Sequence, residues 1–446
     1  MVDVWHADNP EERKFLTLSL EELTQFEVEA RIEAREWNLI RLDEAKRCMD
    51  IRHLDIPYTC CYDHEQCQAI HDLLACDDRE WISFTLQGIT DLTNHYSQPT
   101  SLRTLSSLLI ALKSVKIVNL YSCANHRGHG LEDILKLIPM FTNMKELRLQ
   151  YWQMDGISAR SLIRSLQGLE SKVLKLLSFK SCSFMGEDTF QEILDCLSSI
   201  EELNTLNLSY CNLQDEDITL VVEKFKNHGS LERLHIGGNK CTSIDSLEAI
   251  ASWIGDESCQ LKDLNLRALW VGFSEEGLLQ RFVELPDLFQ NIGMNQSLQS
   301  ITLSENYLDS RDIQDLFSEI EKKKDLLYLD IGDNPFDERG AIFLLEFLRE
   351  RSSIESIRFE NHFVRYKCAG DIKLSARFNY MKRMFLAKAS NMPLPLWAHA
   401  FARVQDDCYS PHDPTDYSAD VIFRVLHFST GKFGLPLSFR IVTHHN

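Results

Sequence analysis

Apolar residues recur along this chain in one spacing that is repeated many times. Residues 203–213 read LNTLNLSYCNL and residues 326–336 read LLYLDIGDNPF. In both stretches apolar residues occupy positions 1, 4, 6 and 11, and Cys or Asn occupies position 9. The alternation of apolar and polar residues around positions 4 to 6 predicts a short β-strand with one buried face.

Position 4 serves as the marker of each copy. Adjacent markers are 28 to 37 residues apart, and positions 1, 4 and 6 are apolar in every copy. A sustained period of this length indicates a repeat architecture, in which each copy buries its apolar face against its neighbours. The eleven markers are Leu54, Phe84, Val118, Leu147, Leu177, Leu206, Leu234, Leu264, Ile301, Leu329 and Ile357.

The second half of each copy predicts a helix. In the copy marked by Leu206, apolar residues follow position 11 at helical spacing, as Ile218, Val221, Val222 and Phe225. Acidic residues come just before these helices, where a negative charge is favoured by the helix dipole. Each copy is therefore expected to be one strand followed by one helix.

The pattern resembles the leucine-rich repeat, L-x-x-L-x-L-x-x-N/C-x-L, over residues 51–389. The period and the Cys/Asn alternation resemble the ribonuclease-inhibitor-like subclass. The resemblance implies an α/β fold, a horseshoe-shaped solenoid of about eleven strand–helix repeats with a parallel concave sheet, convex helices and helical caps. Position 9 matches at Cys123, Cys182, Cys211, Asn239, Asn306 and Asn334. It departs at Thr59, Ile89, Trp152, Leu269 and His362.

Three regions are expected along the chain. Residues 1–50 hold an N-terminal segment and a helical cap, with a capping-box pattern at Ser19 and Glu22. Residues 51–389 form the leucine-rich repeat domain, whose copies marked by Phe84 and Leu264 are longer than the others. Residues 390–446 form a C-terminal helical cap or tail. Their NMPLPLW stretch resembles the tail of leucine-rich repeat proteins from unicellular algae, and its Leu-Pro also resembles the start of an F-box.

Charge and cysteine content narrow the class of protein. The chain has 47 Lys and Arg against 67 Asp and Glu, a formal net charge of -20. This balance argues against a general nucleic-acid binder and favours cationic partners. The 13 cysteines, in a sequence with neither a visible secretory signal nor a membrane-spanning apolar run, indicate reduced thiols. We therefore expect a cytoplasmic protein, with the nucleus as an alternative.

The sequence contains none of the common catalytic motifs. A phosphate-binding Gly-rich loop, a nucleophile elbow and a zinc-protease motif are all absent. We therefore expect no enzyme activity, no metal and no cofactor. Cys60, Cys61, His64, Cys67 and His71 have zinc-capable side chains, but their place in the first repeat is explained by core packing.

A local reversal of charge lies near the end of the repeats. Residues 365–388 contain seven basic side chains, and Asp371 is the one acid among them. This stretch is either a partner-binding patch or the solvent face of an amphipathic helix. In the second case the residues facing the core are Leu374, Phe378, Met381 and Phe385.

The inner wall of the sheet is the predicted binding surface. Positions 3, 5, 7 and 8 of each repeat are expected to face solvent on the concave side, because side chains alternate along a strand. Tyr and Arg at these positions resemble the anchors of protein interfaces. The candidate partner-binding residues are Tyr121, Arg148, Tyr151, Lys180, Tyr210, Arg233, His235, Arg267, Glu305, Tyr328, Asp330, Asp333, Arg358 and Glu360.

The sequence therefore predicts a non-catalytic scaffold for protein–protein interaction, a monomer that binds a macromolecular partner on its concave face. A protein partner is expected, and nucleic acid is not. One alternative, implied by the resemblance, is a regulator of an enzyme, which inhibits a nuclease or activates a small GTPase through Arg148, Arg233 or Arg267. Another is a ubiquitin-ligase substrate adaptor that uses residues 390–446 to recruit the ligase.

Overall fold

The computed structural model describes residues 53–56, 83–87, 115–121, 135, 138–169, 174–186, 188–273, 279–321, 323, 325–350, 353–361 and 365–389. The predicted caps at 1–50 and 390–446 lie outside these ranges, as does the zinc-capable cluster at residues 60–71. The chain divides into two compact units. Unit 1 comprises residues 1–212 and 228–231, and unit 2 comprises residues 213–227 and 232–446.

The described part of unit 1 alternates strands and helices. In chain order it contains β1 (His53–Ile56), β2 (Ser83–Gln87), β3 (Ile117–Tyr121), a 3₁₀ helix (Ile138–Met140), β4 (Glu146–Gln150), β5 (Gln153–Met154), α1 (Gly156–Gln167), β6 (Leu176–Ser178), β7 (Ser183–Phe184), α2 (Thr189–Leu197) and β8 (Thr205–Asn207). Strands β1, β2, β3, β4, β6 and β8 form a parallel sheet in that order. Strands β5 and β7 pair separately, also in parallel.

Unit 2 continues the same alternation. In chain order it contains α3 (Asp215–Phe225), β9 (Arg233–His235), α4 (Ile244–Gly255), β10 (Asp263–Asn265), β11 (Val271–Phe273), β12 (Leu279–Arg281), α5 (Pro286–Met294), β13 (Ser300–Thr302), α6 (Ser310–Ile320), β14 (Tyr328–Asp330), α7 (Glu338–Glu350), β15 (Ser356–Arg358) and α8 (Ala369–Ala389). Strands β9, β10, β13, β14 and β15 form its parallel sheet. None of the helices in the described ranges is long and apolar enough to cross a membrane.

The register of both sheets follows the markers of the sequence pattern. Since a slip of one residue would turn each side chain to the other face, this register keeps position 4 on one side of each sheet. In unit 1 the paired markers are Leu54, Phe84, Val118, Leu147, Leu177 and Leu206. In unit 2 they are Leu234, Leu264, Ile301, Leu329 and Ile357. The predicted α/β leucine-rich repeat fold is confirmed.

The helices bury the predicted faces and begin at the predicted acids. The residues that helical spacing places on the inner face of α3, α6 and α7 are buried. At the start of α6, the Asp309 carboxylate accepts hydrogen bonds from the backbone N–H groups of Arg311 and Asp312. Such a cap satisfies donors that the first helical turn leaves unpaired. The buried residues are Ile218, Val221, Val222, Phe225, Ile313, Leu316, Phe317, Ile320, Ala341, Leu344, Leu345 and Leu348.

Position 9 ties each repeat to the one before it. The Asn334 amide, which is fully buried, donates to the position 6 carbonyl of Leu303 at 3.1 Å. Its oxygen accepts from the backbone N–H groups of Asn306 and Leu308 at 2.9 and 3.0 Å. Asn306 likewise donates to the carbonyl of Leu266, at 2.8 Å. The asparagines therefore satisfy backbone groups that packing hides from water.

Cysteine makes the same donation in the two described repeats where it occupies position 9. The thiols of Cys182 and Cys211 donate to the position 6 carbonyls of Leu149 and Phe179, at 3.4 and 2.9 Å. Burial raises the pKa of the Cys211 thiol to about 12. The thiol therefore keeps its proton at neutral pH, which it needs in order to act as a donor.

Trp152 is neither Cys nor Asn, but its side chain makes the same hydrogen bond as those residues do at position 9. Its ring is buried, and its indole Nε1–H donates to the position 6 carbonyl of Leu120 at 3.0 Å. Leu269, the departure in the eighth repeat, has no side-chain donor. Its backbone N–H instead donates to the Asn306 side-chain oxygen of the next repeat, at 3.0 Å.

The long repeat marked by Leu264 contains an ordered hairpin, in which β11 and β12 pair antiparallel. Trp270 fixes its base, because the buried indole donates to the Ser246 hydroxyl at 3.1 Å. Arg281 at its end donates to the Asp312 carboxylate of α6 at 2.7 Å. The additional residues of this longer repeat are thus tied to the helix of the next repeat.

Helix α8 packs on a different face from the one predicted. Ile372, Ser375, Ala376 and Asn379 are buried, whereas Leu374 and Phe378 are half-buried, so the predicted core face is wrong at these two positions. The helix has this orientation because the Asn379 amide donates to the carbonyls of Leu348 and Ile354, at 3.3 and 3.1 Å. This contact orients the helix so that its small residues face the last repeat.

Candidate functional site

The strands end in a left-handed turn at position 8. Seven of the described residues at this position have a positive φ: 63° at Tyr151, 59° at Ser181, 60° at Tyr210, 74° at Gly238, 45° at Ala268, 58° at Glu305 and 54° at Asp333. This region disfavours ordinary side chains, so surrounding bonds must impose it.

A hydrogen bond between neighbouring repeats imposes the turn. The N–H of Tyr151 donates to the position 7 carbonyl of Lys180, at 3.4 Å, and that of Ser181 donates to Ser209, at 2.8 Å. In unit 2 the N–H of Glu305 donates to Gly332 at 3.1 Å in the same way. The direction of side chains at position 8 is therefore set by the backbone of the next repeat.

The two tyrosines at this position in unit 1 remain open to solvent. Tyr151 is 48% exposed and Tyr210 is 42% exposed, and the repeat between them contributes the exposed Lys180. We call these three residues the tyrosine edge. Neighbouring parallel strands lie about 4.8 Å apart, so the two ring-bearing strands, β4 and β8, are about 10 Å apart. The tyrosine edge thus presents two rigid aromatic groups on either side of one cation.

The predicted wall residues of unit 2 are joined in ion pairs. Arg358 lies between two acids, 3.1 Å from a carboxylate oxygen of Asp330 and 2.5 Å from one of Asp333. Gly332 leaves room for it, since a Cβ there would lie 3.2 Å from the Arg358 side chain. Burial alone would lower the pKa of Arg358, but the hydrogen bond and charge of Asp330 raise it.

Two more pairs continue along the same sheet. Arg267 pairs with Glu305, and Nε2 of His235 lies 3.3 Å from a carboxylate oxygen of Asp263. Burial raises the pKa of Asp263, but hydrogen bonds from His235 and Ser300 outweigh this effect and lower it overall. These pairs join strands of adjacent repeats, so much of the wall charge is compensated within the protein.

The remaining candidates occupy varied environments. In unit 1 Arg148 bonds Glu146 of its own strand at 2.6 Å. In unit 2 Glu360 pairs with Lys373 at 2.7 Å, Arg233 is exposed and Tyr328 is half-buried. The Tyr121 side chain lies outside the described residues.

The predicted exposure of position 5 is wrong in four of the described repeats. Asn119 is 9% exposed, Ser178 is 4% exposed, Thr302 is 9% exposed and the candidate Asp330 is 6% exposed. Position 5 sits in the middle of a short strand between neighbouring strands, whose side chains cover small residues. Alternation therefore identifies the side of the sheet but not the accessible area.

The basic stretch of residues 365–388 is opposed by acids that are distant in sequence. Arg383 of α8 pairs with Glu355, and Lys373 pairs with Glu360, both next to β15. Asp371 bonds Arg349 of α7 at 3.3 Å. The positive charge of residues 365–388 is thus partly compensated by acids of the last repeat. Counting charges along the sequence does not detect this compensation.

Three exposed lysines were missed by the sequence analysis. Lys116, Lys145 and Lys175 occupy position 2 in three consecutive repeats of unit 1. Aligning the repeats shows the signal, because lysine occupies position 2 in three successive copies. Only positions 3, 5, 7 and 8 were considered, so position 2 was overlooked.

Within the described ranges, no group of three or more His, Cys, Asp or Glu side chains is arranged to hold a metal ion.

Comparisons with known proteins return structures of the same repeat type at low similarity. No protein-family profile matches the chain. The leucine-rich repeat-containing protein LegL7 from Legionella pneumophila is 15% identical, with a TM-score of 0.43 over 73% of this chain and 96% of that one. An internalin from Listeria monocytogenes is 14% identical, with a TM-score of 0.34 over 70% and 69%. TLR13, solved in complex with ssRNA13, is 13% identical, with a TM-score of 0.33 over 66% and 38%.

Proposed function

We propose that this protein is a non-catalytic scaffold for protein–protein interaction, and that its partner binds the sheet side of unit 1 through the tyrosine edge. The observation that carries the proposal is the exposure of Tyr151 and Tyr210 on left-handed turns, of which the turn at Tyr151 is held by a backbone hydrogen bond to Lys180. Tyrosines are enriched among residues that dominate binding energy. Fixed turns also reduce the entropy lost on association.

The ion pairs of unit 2 support this choice among the candidates. A charge that already has a partner gains little from a new one, because the existing bond must first be broken. We therefore give Tyr151, Lys180 and Tyr210 the leading role and treat the paired wall residues as flanking contacts. The same argument favours a scaffold over a GTPase activator, since two of its three candidate arginines, Arg148 and Arg267, are engaged by Glu146 and Glu305.

We also infer a ribonuclease-inhibitor-like subclass and a cytoplasmic monomer that binds no nucleic acid. An α-helix in every described repeat from the Leu147 marker onward supports the subclass. Buried thiols that donate hydrogen bonds support a reducing compartment. Exposed apolar side chains are scattered singly in the described part of the chain, which supports a monomer.

Affinity purification with quantitative mass spectrometry tests the proposal. The test variant carries Tyr151→Gly and Tyr210→Gly, because glycine accepts the left-handed turn while the whole tyrosine side chain is removed. The control is Tyr307→Gly in unit 2, which also has a positive φ (57°) and is also 42% exposed. We expect a partner that binds wild type and the control but is lost from the double variant. A partner retained by the double variant would place the binding site elsewhere.

A further inference from the structure

We propose that Lys116, Lys145 and Lys175 form a lysine strip that binds an acidic segment of a partner protein. Each lysine directly precedes a strand of the unit 1 sheet, at β3, β4 and β6. The N–H of Lys145 donates to the carbonyl of Lys116 at 2.7 Å, and the N–H of Lys175 donates to that of Lys145 at 2.7 Å. With about 4.8 Å between neighbouring strands, the three side chains start from one row about 10 Å long.

The row is accessible, and its charge is not paired within the part of the chain that the structure describes. All three lysines are exposed, and no acid among the described residues forms an ion pair with them. Glu146, the acid that follows Lys145 at the start of β4, instead bonds Arg148 at 2.6 Å. Like charges side by side on a sheet destabilise it. The stability of the sheet therefore gives no reason for lysines in three successive repeats, whereas the binding of an anion does.

The number and type of the charges favour a protein segment over a nucleic acid. Three cations neutralise few phosphates, so they contribute little counterion release. Lysine is a flexible point charge that does not require the paired geometry of phosphate recognition by arginine. A run of Asp or Glu side chains matches this strip in both length and charge.

The lysine strip is separate from the tyrosine edge. Strand β4 runs from Glu146 to Gln150, so Lys145 lies before one end of it and Tyr151 after the other. A strand of this length spans about 16 Å at 3.3 Å per residue. Binding at the strip can thus be measured whether or not the tyrosine edge binds a partner.

Fluorescence anisotropy of a labelled glutamate-rich peptide tests the strip. The full chain is titrated at low salt, as wild type and as a variant with Lys116→Ala, Lys145→Ala and Lys175→Ala. We expect the variant to bind about tenfold more weakly, which corresponds to about 1.4 kcal/mol. Wild-type binding should weaken as salt is added, because the surface charges are screened.

A matched control separates the strip from net charge. The variant with Lys226→Ala, Lys240→Ala and Lys367→Ala removes the same charge from three exposed lysines of unit 2. It should bind the peptide as wild type does, and all three proteins should show the same thermal unfolding. Equal losses in both variants, or no binding by wild type, would overturn the proposal. Tighter binding of a single-stranded RNA of the same charge would overturn the choice of a protein segment.

Discussion

Replacing Asn334 by alanine should destabilise unit 2 strongly. Its side-chain oxygen accepts from the backbone N–H groups of Asn306 and Leu308, and its amide donates to three carbonyls. A buried donor left without an acceptor costs about 1–3 kcal/mol, so two of them cost about 2–6 kcal/mol. Urea denaturation followed by circular dichroism measures this loss as a lower midpoint.

Two further variants make the test specific. Asn334→Cys retains a donor for the Leu303 carbonyl but loses the acceptor, so its stability should fall between wild type and Asn334→Ala. The control is Asn227→Ala at an exposed position, which should lie within about 0.5 kcal/mol of wild type. Hydrogen exchange at the Leu308 amide should accelerate in Asn334→Ala. An alanine variant as stable as the control, with unchanged exchange at Leu308, would refute the role assigned to position 9.

Three other changes probe separate contacts. Trp152→Phe removes the indole donor from a buried carbonyl and should lower the free energy of unfolding by about 1–3 kcal/mol in urea denaturation. Arg281→Met leaves the Asp312 carboxylate without its ion-pair partner and should cost about 1–3 kcal/mol in the same assay. Backbone N–H groups at the start of α6 hold the pKa of Asp309 below 3.8, so its stabilisation is present above that pH and lost as pH falls below it. In Asp309→Asn the urea midpoint should therefore decrease less than in wild type on acidification.

The periodicity of apolar residues was sufficient to predict the repeating strands and helices, because buried positions recur with the same period. The markers at Leu147 and Leu177 pair in the sheet, and the apolar face of α3 is buried as expected. The hydrogen-bonding role of position 9 was implicit in its Cys and Asn residues. The role of Trp152 was not implicit in the sequence. A tryptophan at position 9 departs from the Cys/Asn pattern, and the hydrogen bond of its indole N–H is visible only in the structure.

The candidate surface was less predictable, because it depends on contacts between repeats. Arg358 meets Asp330 and Asp333 of the repeat before it, and a count of charges at fixed positions does not show which of them pair. The face of α8 was mispredicted for a similar reason. Apolar spacing favoured Leu374 and Phe378, whereas the hydrogen bonds of Asn379 to the last repeat decided the orientation.

The asparagine bonds also have a direction, which bears on how the chain is made. Asn334 holds the backbone of the turn that precedes it, and Asn306 does the same for Leu269. Each turn is thus completed by a side chain from the next repeat. On the ribosome, the most recently emerged repeat would lack this side chain until about thirty further residues had been synthesised. We expect native structure to trail synthesis by one repeat, so a nascent chain that stalls always ends in one unfinished turn.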